Sequence, residues 1–131
     1  MTSVNMRLLV ILYLGFLCLL AKAAPLPKGI KYKDWVITAN DDMTMNIVHK
    51  GKVILKNAYV KAKAGENYIE SLNYKTADIQ ESSFEDVTGK GKKYTVTYTG
   101  LGKPDIQQIF YFYPNNDYFL TEVYLNSDTE I

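Results

Sequence analysis

The chain has 131 residues, of which 13% are aromatic, with 15 basic and 14 acidic side chains, one histidine and one cysteine. That length suffices for a single core and is too short for a large enzyme. A formal charge of +1 supplies no field to gather nucleic acid or an anionic membrane, and a single cysteine excludes an intrachain disulfide framework.

The amino terminus has the three-part layout of a secretory signal. A short start ends at Arg7, an apolar run extends from Leu8 to Leu20, and Ala21-Lys22-Ala23 forms a small-x-small site before Ala24. The run is shorter than the roughly 20 residues a spanning helix needs, so cleavage after Ala23 is expected rather than a stable membrane span. Cys18 lies inside the run, not at its end, which does not fit a lipoprotein signal. Loss of residues 1–23 would remove Arg7 and Lys22 and no acid, taking the balance from +1 to −1. The mature product is thus expected to be cysteine-free and exported, periplasmic or extracellular, resting on burial and sheet hydrogen bonds.

Residues 24–33 read as a lead-in, because Pro25 and Pro27 block regular structure. The domain proper is expected over 34–131. Its β-branched and aromatic runs predict strands at 35–39, 43–49, 53–61, 68–74, 76–82, 93–99, 106–113 and 118–125. Lys50-Gly51, Gly100-Leu101-Gly102 and Pro114-Asn115-Asn116-Asp117 supply turns, and Phe84 to Lys92 is predicted to be the longest loop. With no helix-length periodic segment between these runs, the fold class expected is all-β: an antiparallel β-sandwich of about eight short strands.

Alternation assigns the faces. Tyr94, Val96 and Tyr98 alternate with Lys93, Thr95 and Thr97, giving one apolar and one wet side. The segment 106–113 is apolar on both sides, with Phe110 and Phe112 one way and Ile109, Tyr111 and Tyr113 the other. Its partner repeats this, with Phe119, Val123 and Leu125 opposing Tyr118, Leu120 and Tyr124. Phe110, Phe112, Phe119 and Val123 are therefore expected in the core. Tyr111, Tyr113, Tyr118 and Tyr124 are expected to form a face that meets carbohydrate or another domain, since tyrosine rings stack on sugars while their hydroxyls stay hydrogen-bonded.

The inventory for catalysis is thin. His49, the one histidine, flanks the Lys50-Gly51 turn and reads as a solvated turn residue, with no cysteine left to share a metal. Asp41-Asp42 and Glu85-Asp86 are adjacent carboxylates in loop-like sequence, poorly placed to straddle a glycosidic bond. Asn40-Asp41-Asp42 lacks the Asp-x-Asp spacing of a calcium loop, and Gly89-Lys90-Gly91-Lys92 lacks the spacing and following helix of a phosphate cradle. No catalytic residue, metal or cofactor is assigned.

The stretch from Gly89 through Lys103-Pro-Asp-Ile-Gln-Gln-Ile-Phe-Tyr-Phe-Tyr-Pro to Tyr118-Phe-Leu-Thr-Glu-Val-Tyr-Leu resembles the amino-terminal β-sandwich of secreted bacterial glycoside hydrolases, of the α-galactosidase (melibiase) type of glycoside hydrolase family 36. The resemblance covers residues 30–131 and implies a sandwich packed on a (β/α)₈ barrel that carries the catalytic aspartates. A barrel needs at least about 200 further residues, so no catalytic residue carries over to this chain, which fits a fragment of a longer enzyme. Three readings follow: a non-catalytic module of an exported carbohydrate-active enzyme, a free-standing carbohydrate-binding or adhesion domain, and a small self-sufficient enzyme, against which the catalytic inventory argues hardest. The partners expected are thus carbohydrate or an adjoining barrel, and not nucleic acid.

Overall fold

The computed structural model describes residues 29–127, so the expected signal segment with Cys18 and the cleavage site, the prolines of the lead-in, and residues 128–131 lie outside the described residues. Among the described residues ten strands form: β1 (Gly29–Tyr32), β2 (Trp35–Ala39), β3 (Met45–His49), β4 (Lys52–Ala58), β5 (Lys61–Ala64), β6 (Asn67–Glu70), β7 (Thr76–Asp86), β8 (Gly89–Thr99), β9 (Asp105–Phe112) and β10 (Phe119–Asn126). A single 3-10 turn, Ser71–Asn73, is the only helical piece among the described residues.

Every pairing is antiparallel between sequence neighbours. One sheet has the order β1-β2-β3-β4, a second β10-β9-β8-β7, and β5-β6 is a separate hairpin. The turns explain why. Lys50 and Gly51 both take positive φ, 50° and 75°, the conformation a two-residue hairpin turn needs to match strand twist. Asp86 closes the β7–β8 turn by accepting from the Thr88 and Gly89 amides at 2.8 and 3.2 Å through Oδ1.

The two four-stranded sheets share one core. Ile30, Trp35, Ile37, Met45 and Ile47 from the first meet Tyr94, Val96, Tyr98, Ile106, Phe110 and Phe112 from the second. Trp35 at the start of β2 sits 5.0 Å edge-on to Phe119 of β10, whereas Ala39 at its end shares a cavity with Ala77 and Ile79 of β7. Strand β2 therefore crosses the second sheet from one edge to the other. The base of the β5-β6 hairpin is closed by buried Ser71, whose Oγ accepts from the Val60 amide at 3.0 Å while its own amide donates to Val60 O at 2.9 Å, and Val60 and Ile69 pack the hairpin on the core.

The all-β fold and the antiparallel sheets are as the sequence predicted, with three corrections. Residues 84–92 are the tip of the β7–β8 hairpin, not a loop, because Asp86 and Gly89 make a tight turn. Residues 29–32 of the predicted lead-in form an edge strand, and 61–64 a short one, bringing the total to ten. Phe110 and Phe112 are buried and Phe119 packs on the core, but Val123 is 44% exposed, on an edge strand that has a neighbour along one side only.

Candidate functional site

The outer face of the second sheet carries the residues singled out from sequence. Strand register aligns them in rows across β8, β9 and β10. Tyr111 lies between Lys93 and Leu120, Ile109 between Thr95 and Glu122, and Gln107 between Thr97 and Tyr124. Tyr118 at 49%, Leu120 at 49% and Tyr124 at 48% are about half exposed. Glu122 organises this patch: its Oε2 accepts from Tyr111 OH at 3.0 Å and Tyr124 OH at 2.9 Å. Burial, reinforced by the Glu122 carboxylate, pushes the Tyr111 phenol up to about 12. The bond to Glu122 raises that of Tyr124 as well.

Tyr113 is placed differently. It is only 4% exposed, packs edge-on against Phe84 at 5.3 Å, and donates to Asp86 Oδ2 at 2.6 Å. That bond raises the Tyr113 phenol and holds the Asp86 carboxyl below its usual range. Tyr113 thus braces the face from beneath, and its ring reaches Tyr118 at 6.4 Å. Phe84 also meets Tyr111 edge-on at 5.1 Å. This depends on Gly91, which pairs with Phe84: a Cβ there would lie 2.1 Å from Phe112 O and 2.9 Å from the Phe84 ring. Sequence reasoning missed Phe84, Gly91 and Glu122 as parts of the site. The cue available was Glu122 between aromatic residues on a strand.

One member of each carboxylate pair serves local structure. Asp42 Oδ1 accepts from the Thr44 amide at 3.1 Å and the Thr44 hydroxyl at 2.5 Å, which holds its carboxyl below the usual range. Asp86 caps its own turn and holds Tyr113. His49 is not a solvated turn residue: its ring stacks on Trp35 at 4.0 Å. No group of three or more His, Cys, Asp or Glu side chains able to hold a metal occurs among the described residues. Between the sheets, a cavity of about 410 Å³ has an apolar floor of Met45, Ile79, Val96 and Tyr98 and a rim that includes Asn40 and Lys75. No helix among the described residues is long and apolar enough to cross a membrane.

Compared with known protein families, curated proteins and solved structures, the chain matches none.

Proposed function

We propose that the chain is a non-catalytic β-sandwich module of an exported carbohydrate-active enzyme of the α-galactosidase kind, which packs on a catalytic barrel through the outer face of β9 and β10. The observation that carries this reading is the half-exposed patch of Tyr118, Leu120 and Tyr124 on a sheet whose other side already fills the core. Apolar surface contributes roughly 25 cal/mol per Å² when covered, and a contiguous patch of large side chains marks a contact site. Export rests on the amino-terminal signal layout, and the enzyme class on the resemblance over 30–131.

The test starts with the reading frame beyond codon 131. The segment that follows, expressed separately, should bind this chain, and a Leu120→Ser, Tyr124→Ser double variant should weaken the complex. A frame that encodes no further domain, or a complex indifferent to the double variant, overturns the reading. So does turnover of aryl α-galactosides by the purified chain alone that persists through repurification.

The polar company of the tyrosines favours a second reading, direct carbohydrate contact. Lys93, Thr95, Gln107 and Glu122 share the face, a mixture suited to a polyhydroxylated ligand. Retardation of the chain in a galactomannan gel, abolished by Tyr118→Ser with Tyr124→Ser, is the expected result; unretarded migration in galactomannan and other plant polysaccharides would count against it.

A further inference from the structure

Four tyrosines are buried among the described residues, and a phenol in that setting is costly unless its hydroxyl finds a partner. Three have one: Tyr74 donates to Pro104 O, Tyr94 to Lys31 O and Tyr113 to Asp86 Oδ2. Tyr98 is the most buried of the four, at 2% exposed, and its hydroxyl makes no hydrogen bond with any described residue. Burial alone pushes that phenol up to about 12. No sealed side-chain nitrogen or oxygen among the described residues lacks a partner, so the Tyr98 hydroxyl is not sealed. The opening beside it is the cavity between the sheets, which Tyr98 lines.

That cavity measures about 410 Å³ and is bordered by Met43, Met45, Ala77, Ile79 and Val96. Its charged members, Asp41 and Lys75, are exposed and so stand at its mouth. It lies beside β7, the edge of the second sheet opposite to β10, and is therefore remote from the tyrosine face. Both walls are tied. On one side β7 and β8 pair along the full 11 residues of each strand. On the other, the Asn40 amide donates to Thr44 O at 2.8 Å, the Met43 amide to Asn40 O at 3.1 Å, and Asn40 Nδ2 to Thr44 Oγ1 at 2.9 Å. These bonds keep Met43 at φ 64°, where residues other than glycine rarely sit. Backbone held on both sides resists the relaxation that would close the space.

An apolar cavity of roughly 150 Å³ already admits benzene, so this one has room for a ring that carries a substituent. Its depth holds neither a cation for an anionic ligand nor a carboxylate for a cationic one, and no grouped metal ligands occur among the described residues. What it offers is apolar surface around a single hydroxyl. A phenol that stays protonated donates, and a carbonyl oxygen accepts without bringing a proton that itself needs a partner. We propose that this cavity binds a compact, uncharged, largely apolar carbonyl compound, a ketone, aldehyde or ester, whose oxygen accepts from the Tyr98 hydroxyl while its hydrocarbon part lies against Met43, Met45 and Ile79. The site depends neither on the β9–β10 face nor on an adjoining barrel.

Acetophenone and α-methylstyrene share a shape and differ by an oxygen against a CH₂ group, so together they isolate the hydrogen bond. Isotope-labelled methyl signals of Met43 and Met45 in the purified chain report the cavity from its wall. The expected result is a saturable shift of both signals with acetophenone. Tyr98→Phe deletes the hydroxyl and keeps the ring, so it should weaken acetophenone about tenfold and leave α-methylstyrene as tight as before or tighter. A tyrosine with a merely structural role would move the two probes together. Ala77→Leu, which fills the cavity from β7, should weaken both. Nuclear Overhauser contacts from acetophenone to the Tyr98 ring are expected on the unaltered chain and need no variant. The proposal is overturned if acetophenone does not saturate, if a saturated complex lacks those contacts, or if Tyr98→Phe leaves the ratio of the two affinities unchanged. It also fails if the shifts gather at 118–124 instead of at the methionines, or if benzoate binds as tightly as acetophenone.

Discussion

Asp86 shows how one carboxylate can specify both a turn and a surface. One of its oxygens closes the β7–β8 hairpin and the other holds Tyr113 under the aromatic patch. The tyrosine bond is the main reason its carboxyl stays ionised below the ordinary value of 3.8, with the two turn amides adding to it. A carboxyl depressed in the folded state stabilises fully above its unfolded value and loses that contribution as pH falls through the folded value. Thermal melts from pH 5 to pH 2 should therefore show a decline beginning near pH 4 that Asp86→Asn makes shallower, because asparagine has no proton to gain. At neutral pH the same variant should melt lower than the parent chain, since an amide is a poorer acceptor for the phenol and turn amides. Equal acid slopes for the two proteins would show that Asp86 is not a main source of the dependence.

At the scale of elements, the strands legible in the sequence are those whose alternation reports a buried face. Segments 93–99, 106–113 and 118–125 appear in the structure within a residue or two of their predicted ends, except that β8 starts earlier, at Gly89. The hairpin tip at 84–92 was hidden because its signals, two glycines among charged residues, are those of a loop. Gly91 is there for space, to let Phe84 lie across β8 toward Tyr111 and Tyr113. The burial of Tyr113 followed from that same hairpin and so was hidden with it. Strand β5, Lys61–Ala64, has no β-branched or aromatic residue to announce it. The Gly91 argument gives a test. Gly91→Ala forces a Cβ against backbone as well as ring, so it should destabilise the chain by about 1–3 kcal/mol in urea titrations and shift the Tyr111 and Tyr113 ring signals. Gly91→Ala with unchanged stability and ring signals would mean that Phe84 does not need that space.

For the whole molecule, the decisive feature is that neither large sheet has a covered inner face without the other. Phe112 is the clearest junction: 1% exposed on β9, it lies 5.1 Å from Tyr32 and 6.4 Å from Trp35 of the first sheet, and 5.7 Å from Tyr94 and 5.5 Å from Phe119 of the second. Separating the sheets would expose all five rings together, at a cost that grows with their joint area. Unfolding should therefore be a single transition, with Trp35 fluorescence, which reports the junction, and far-UV circular dichroism, which reports both sheets, tracing the same curve. Phe112→Ala removes the shared ring and leaves a cavity between the sheets, so both curves should move together by about 3–5 kcal/mol. The β5-β6 hairpin is the exception. It belongs to neither large sheet and meets the shared core through Val60 and Ile69, so amides at 61–64 and 67–70 should exchange with deuterium well before those of β2, β8 and β9. If fluorescence and circular dichroism separate, or if Phe112→Ala shifts only one of them, the sheets are independent units and the shared core does not govern stability.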